Sequence, residues 1–392
     1  MRSTGTYAIT PTSGESVRAF VPFALAPANP PLALASYSAA NRMAELALAR
    51  LSGMTGLVPS VDWLLYSAIR NEALLTSQIE GTQATLADLF DEEAGLAISN
   101  ADDVEEVSNY LRAFRHVQEN LRSATGLPIS VRLLCDAHRL LMDGARGASK
   151  QPGELRRSQN WIGGTRPGNA TFVPPPPERV PELLADLERF IHKPGIDALD
   201  QESALPLLVK IALIHVQFET IHPFLDGNGR IGRLLISVLL EHWGLLPEPL
   251  IYLSGYLKRH QLEYYRRLSA VRTQGDWEGW ILFFLEGIST AAAQAERQIA
   301  AIAAHLSADR AKLLASPKAG PACYRLFELL PMMPRFSIDA VRQKLGVSFP
   351  TANAAVKILT DMGITTELTG KKKNRHYSFQ GYIELLSASE MT

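Results

Sequence analysis

Cysteine is nearly missing from this chain: two residues in 392, Cys135 and Cys323, far apart in sequence. One disulfide between them is conceivable, but a disulfide framework is excluded, and sparse cysteine of this kind favours a reduced thiol pair in a cytoplasmic protein. Long apolar runs are missing too. No stretch reaches the 18 or so apolar residues of a transmembrane helix. The opening MRSTGTYAIT lacks the basic-then-apolar layout of a signal peptide, and no membrane partner is expected. Charge of one sign is not in excess, with 39 Lys and Arg against 40 Asp and Glu. No global field therefore argues for nucleic acid or membrane as the main partner. No internal repeat is visible.

Apolar residues, by contrast, make up 46% of the chain, ample for a sizeable core. The length suggests two to three domains. Residues 1–37 are rich in Pro, Ala, Ser and Gly and read as an extended arm, partly ordered at best. From about Ser38 to Met142 apolar residues recur at three and four spacing, the helical period, with Ser130 as a helix N-cap. Gly144 to Pro177 breaks this pattern. Within it, Asn160–Gly163 and Ala170–Val173 flank a turn, Gly164 to Asn169, and predict a short β-hairpin. Helices are expected again over Val180–Ile191, over Ser203–Ile221 with Pro206 in the first turn, over Arg230–Trp243, and across 254–315.

The stretch that carries chemistry is HPFLDGNGRIGR, His222 to Arg233. Pro223 disfavours helical dihedrals at His222, so the preceding helix ends there and the imidazole faces a loop. Gly227 and Gly229 let the backbone turn its N–H groups inward. The following helix adds its N-terminal donors, which makes an anion nest. Asn228 offers a side-chain N–H. Arg230 and Arg233, three apart, share a helix face and suit phosphates. Asp226 is a carboxylate beside a phosphate site, as a Mg²⁺ ligand is. Together these residues predict phosphoryl or nucleotidyl transfer.

This stretch matches every fixed position of HPFxxGNGRxxR and so resembles the Fic family. His215–Ile221, Pro152–Arg156 and the hairpin at 160–173 are similar as well, the last to the Fic flap, which holds a target segment by strand addition. The resemblance implies protein adenylyltransfer, AMP moving from ATP to a Tyr, Thr or Ser hydroxyl of a protein, with the enzyme itself among the candidate targets. His222 is then the general base, and Asp226 holds Mg²⁺. Gly227, Asn228 and Gly229 hold the α-phosphate. Arg230 and Arg233 hold the terminal phosphates, and Ile231 and Gly232 complete the nucleotide-binding run. Tyr264 and Tyr265 fall where aromatics line the adenine pocket, or form a helix-face pair packed in the core. Where the family often has an Asn, this chain reads Val271-Arg272-Thr273-Gln274, which leaves the adenine-side contacts open.

Near the N-terminus, Thr76 to Gly81 resembles the family's inhibitory motif [ST]xxxE[GN]. Thr76 and Glu80 share a helix face. Gly81 suits a left-handed helix end. By this resemblance Glu80 pairs with Arg233, within about 4 Å, and fills the space of the γ-phosphate. The alternative is an ordinary capped helix with an exposed glutamate.

The last segment resembles a winged helix: a helix over Ser337–Leu345, a turn with Ser348 as N-cap, a helix over Thr351–Met362, then strands over Ile364–Leu368 and His376–Phe379 around Lys371–Arg375. From Phe336 to Phe379 it carries seven Lys and Arg against three acids, a net +4 that suits DNA phosphates. Protein docking is the other use of such a module. The expectation is thus a mainly α protein in three parts: residues 1–104 with the inhibitory motif, 105–315 as Fic core with its flap, and 316–392 as winged helix. Expected partners are ATP with Mg²⁺, a protein hydroxyl, DNA and a second copy of the chain as a homodimer. A transcription regulator with a nucleotide-sensing core, a de-AMPylase using Glu80 to orient water, and a transferase of another phosphate donor are the competing functions.

Overall fold

The structure, a computed structural model, describes residues 2–144, 148–193 and 205–391. The chain opens with a two-stranded antiparallel hairpin, β1 (Gly5–Thr12) and β2 (Glu15–Pro22), where an extended arm was expected. Its turn is Ser13-Gly14, with φ of 49° and 80°. Such positive dihedrals give the tight turn whose twist matches the strands it joins. Pro11 is tolerated because β1 has β2 as its only neighbour.

Five helices follow: α1 (Leu34–Gly53), α2 (Val61–Ile79), α3 (Leu86–Glu93), α4 (Ala101–Arg122) and α5 (Val131–Leu141). Thr85 and Asp88 form a capping box at the start of α3. Ser130 caps α5 as expected, its hydroxyl accepting from the Leu133 amide at 3.3 Å. The division expected after residue 104 falls inside α4.

The predicted 160–173 hairpin is reduced to one antiparallel bridge, Ile162 opposite Phe172, with N–H···O distances of 2.8 and 3.1 Å. Gly163 and Gly164 turn with φ of 68° and 74°, and a 3-10 turn at Pro167–Asn169 carries the chain round, so no ladder extends from the bridge. The flap leans instead on the N-terminal hairpin. The Phe20 amide donates to the Val173 carbonyl at 2.9 Å. Val17, Ala19 and Val173 form a small apolar cluster of their own. Arg166 pairs with Glu15 at 2.6 Å.

Next come α6 (Val180–His192), α7 (Leu207–Ile221), α8 (Asn228–His242), α9 (Leu253–Arg259), α10 (Gln261–Gln274) and α11 (Trp277–Leu314). Pro206 is the N-cap of α7; the expected start at Ser203 lies outside the described residues. Every residue from Leu208 to Ile221 is buried. A helix buried all round must be surrounded by other elements, and α6, α8, α10 and α11 surround this one. Each fully buried Leu, Ile, Val or Phe contributes about 1.5–3 kcal/mol, so the segment ending at His222 is a rigid axis.

The C-terminal part is α12 (Pro321–Leu329), β3 (Arg335–Ser337), α13 (Ile338–Leu345), α14 (Phe349–Asp361), β4 (Thr366–Glu367), β5 (His376–Ser378) and α15 (Gln380–Met391). The strands form an antiparallel sheet in the order β3-β5-β4; β3 had no counterpart in the sequence reading. Ser348 caps α14, and Gly346 and Gly363 end α13 and α14 in left-handed conformation. This part docks on the rest. The Tyr382 hydroxyl donates to the Trp63 carbonyl at 3.2 Å, Arg335 meets Asp91 at 3.2 Å, and α15 lies along α11. Cys135 and Cys323 are both free thiols. Among the described residues, no helix is long and apolar enough to cross a membrane.

Candidate active site

The end of α7 and the start of α8 meet in a six-residue loop. His222 closes α7 in the left-handed conformation, φ 50° and ψ 62°. Gly227 opens α8 at φ 74°, and a Cβ there would meet the Met142 sulfur at 2.9 Å. Two buried groups fix the loop between them. Asn228 receives the Phe224 amide on its side-chain oxygen at 2.8 Å and donates to the Phe224 carbonyl at 2.9 Å. The sequence reading gave this side chain to the phosphate; in the structure its oxygen and one of its two N–H groups are engaged by the loop. His138 of α5 accepts from the Gly153 amide on Nδ1, which leaves Nε2–H to donate to the Asp226 carbonyl at 3.1 Å. Its ring stacks on Phe224 at 3.8 Å. Burial lowers its pKa to about 4, so the ring is neutral.

The amides of Asn228, Gly229 and Arg230 begin α8 and have no acceptor among the described residues. They are the free donors of a helix N-terminus, aimed at the loop mouth. Ile231 and Gly232, counted with the nucleotide-binding run in the sequence reading, face inward instead. Ile231 belongs to the core, and a Cβ on Gly232 would meet Glu219 Oε1 at 2.5 Å.

His222 carries the reactive features expected of it. Its Nδ1 is buried without a hydrogen-bond partner among the described residues. Its backbone carbonyl accepts from Arg156 Nε at 2.8 Å, and Arg156 also reaches the carbonyls of Ile221 and Pro175. The imidazole pKa is pushed down to about 4, by burial first and then by the Arg156 charge. One turn back, Glu219 has an unpartnered Oε1, and burial pushes its carboxyl up to about 7.

The two arginines of the motif diverge. Arg233 is 2% exposed. It donates from Nε to the Thr76 hydroxyl at 2.6 Å and from Nη2 to the Thr76 carbonyl at 3.2 Å and Glu80 Oε1 at 2.5 Å. The pair expected from residues 153 apart is therefore formed. Glu80 is the C-cap of α2, and Gly81 follows at φ 105°. The carboxylate lies directly over the α8 start: a Cβ on Gly229 would meet Glu80 Oε1 at 2.4 Å. Burial works to protonate Glu80, but Arg233 outweighs it and holds the carboxyl below its usual range. Arg230 turns the other way, to Glu106 of α4 at 3.2 Å, and lies 3.9 Å from Asp226. It is not beside Arg233 in this state.

Asp226 is the exposed acid of the loop; its Oδ1 accepts from the Gly227 amide at 2.6 Å. Among the described residues no three His, Cys, Asp or Glu cluster as metal ligands. One carboxylate facing a phosphate nest suits Mg²⁺, which completes its shell with phosphate oxygens and water; it does not suit a metal caged by protein alone.

Of the aromatic pair, Tyr264 is 1% exposed, its hydroxyl hydrogen-bonded to His215 Nε2 at 2.8 Å and its ring 6.0 Å from that of Trp280. It belongs to the core. Tyr265, 46% exposed, keeps a free face. Sequence reasoning missed His138, Glu106 and Glu219, and gave Arg156 no role. Nothing local marks them: each acts on a segment far along the chain or through burial.

Comparison with known proteins agrees with this geometry. Residues 38–119 match the Fic/DOC family N-terminal region and residues 128–240 match the Fic/DOC family. A probable protein adenylyltransferase of Aquifex aeolicus, aq_aa38, is 39% identical over 77 residues, 20% of this chain and 22% of that protein. Protein adenylyltransferase Fic of Drosophila erecta is 27% identical over 214 residues, 53% of this chain and 38% of its own. The chain thus spans about a fifth to two fifths of the length of these curated relatives. Among solved structures, a Fic family protein of Desulfovibrio desulfuricans G20 covers 86% of this chain and 95% of its own, at 21% identity and a TM-score of 0.52. A Fic domain containing signaling protein of Bacteroides thetaiotaomicron covers 64% and 95%, at 20% and 0.51. At such identities the likeness concerns the fold.

Proposed function

This chain belongs to the Fic/DOC family, and from that premise we propose that it is a protein adenylyltransferase held back by its own Glu80. The observation that carries the reading is one junction. Three free amides at the start of α8 lie between an unpartnered His222 nitrogen and an Arg233 whose terminal nitrogen is taken by Glu80. Free amides there suit the α-phosphate of ATP. The neutral His222 ring accepts the proton of a target Tyr, Thr or Ser hydroxyl. The hydroxyl oxygen bonds to the α-phosphorus, the bond from that phosphorus to the bridging oxygen breaks, and pyrophosphate leaves with the electron pair. Asp226 is the residue that would hold Mg²⁺, which neutralises phosphate charge when bound. The protein otherwise contributes position and preorganised charge.

Glu80 sets the resting state. Its carboxylate sits where Arg233 would otherwise take a terminal phosphate, so ATP enters poorly or lies misaligned. The same carboxylate, beside the nest, could orient a water for the reverse reaction. The test is labelling with α-labelled ATP and Mg²⁺. Glu80→Gly is expected to label protein far more than wild type. His222→Ala in that background is expected to lose about 10²–10⁴ in rate with the fold intact. Arg233→Ala is expected to stay inactive with or without Glu80. A Glu80→Gly variant no more active than wild type defeats the autoinhibition. Removal of AMP from a modified protein by wild type alone favours the reverse reaction.

We read residues 316–392 as a winged helix, with α14 and the Lys371–Arg375 connection as its DNA-facing side. The support is the order β3-β5-β4 around α13 and α14, together with the local +4 charge.

A further inference from the structure

Most charged side chains around the candidate site are paired: Arg233 with Glu80, Arg230 with Glu106, Arg156 with four backbone carbonyls. Arg272 is different. Its guanidinium lies over the Phe172 ring, 3.9 Å from the centroid, and has no hydrogen-bond acceptor or ion-pair partner among the described residues. It comes from the flap side: Phe172 is half of the flap's one bridge. On α10, Tyr265, Ser269 and Arg272 are four and then three residues apart, so they share one helix face. At its Arg272 end this face meets the flap through the Phe172 ring, and the Arg272 charge is among those that lower the His222 pKa.

Arg272 is half-buried, and the five donors of its planar fork meet no protein acceptor among the described residues, so they are open to a ligand that supplies acceptors. The acid whose charge acts on it is Glu219, whose carboxyl burial pushes up to about 7, so it is a poor counter-ion. The triphosphate already has its donors on α8 and its metal ligand in the loop before it. Arg272 instead lies against the flap itself, along whose edge a target segment would pair.

We propose that Arg272 is a specificity-determining residue that binds an acidic side chain of the target next to the modified hydroxyl. This rests on the transferase reading. A segment paired to the flap is extended, and alternate side chains share a face about 7 Å apart. The acidic residue is therefore two positions from the hydroxyl residue, not one. A carboxylate there forms a forked, charge-assisted pair with the guanidinium, while Phe172 keeps water off one face of it.

The test uses full-length Glu80→Gly protein, α-labelled ATP and an array of hydroxyl-centred peptides that carry Asp, Asn or Lys at each flanking position. Peptides with Asp two residues from the hydroxyl are expected to be labelled about tenfold more than their Asn counterparts. Arg272→Lys is expected to keep the preference in weaker form. Arg272→Glu is expected to move it to Lys at the same position, with the KM for ATP unchanged; a merely structural arginine would not invert a preference. Equal labelling of Asp and Asn peptides overturns the proposal. So does a raised KM for ATP with flank preference intact, which would assign Arg272 to the nucleotide. If neither peptides nor the enzyme itself take label, the transferase reading falls and takes this inference with it.

Discussion

Glu80 and His222 feel each other's charge, and burial acts on them in opposite senses. Burial raises an acid and lowers a base; Glu80 escapes because Arg233 outweighs the burial, while His222 does not, because its nearest strong charge, Arg156, is also positive. The sign for pH follows. A folded-state pKa near 4 means His222 stays in its proton-accepting form well below the ordinary histidine value of about 6.5. Single-turnover transfer by Glu80→Gly is therefore expected to be flat from pH 8 to about pH 6 and to fall only below about pH 5. A midpoint near 6.5 would mean the imidazole is solvated, or that it is not the base. Gly229 belongs to the same scale: a Cβ there would meet Glu80 Oε1 at 2.4 Å and Arg233 Nη1 at 2.9 Å, so a side chain would displace the resting pair from its present place.

The flap is an element that cannot stand by itself. A single bridge, two glycines and a short 3-10 turn supply little ladder energy. Its rigidity comes from β2, through the Phe20–Val173 hydrogen bond, the Val17–Ala19–Val173 cluster and the Glu15–Arg166 pair. The nucleotide side is held separately, by α5, α7 and α8. Two kinds of variant are thus expected to behave alike. Shortening Gly164–Asn169, or placing a charge in the cluster with Ala19→Glu, is expected to cut target labelling at least about tenfold while calorimetric ATP affinity in the Glu80→Gly background stays within about twofold. Equal losses in both would make the flap a structural strap and no target platform.

At the scale of the molecule, the helix that delivers Glu80 is shared. α2 packs on α4, α8 and α9, and its N-terminal half also receives Tyr382 from α15. The C-terminal part is thus built against the same helix as the candidate site. Its basic connection offers a direct measurement. With a mixed-sequence duplex at low salt, the triple change Lys371→Ala, Lys372→Ala and Lys373→Ala is expected to weaken binding. It is also expected to flatten the slope of log K against log salt by as much as about 2–3 units, since each neutralised phosphate contributes about 0.9. A wild-type protein that ignores DNA at low salt points to protein docking by this module.

The sequence by itself determined the parts whose signal is local. HPFLDGNGRIGR already contained the end of α7 before Pro223, the glycines that turn the backbone inward and the nest they form, though α8 starts at Asn228 and not at Arg230. Ser130 and Ser348 announced their helices and Gly346 and Gly363 their ends, while Glu80 as the partner of Arg233 came from the resemblance of Thr76–Gly81 to the inhibitory motif. Such features are legible because backbone sterics and caps act over a few residues. Tertiary structure decided the rest. Arg230 and Arg233 share a helix face in sequence, yet Glu106 and Thr76 draw them apart. Asn228 serves its loop and Tyr264 its core because burial requires every polar atom to find a partner nearby, and the nearest partner is set by packing. The Pro- and Ala-rich opening became a hairpin because a flap 150 residues away offers it an edge and an apolar patch. Composition carries no record of such a neighbour, and only the folded chain supplies it.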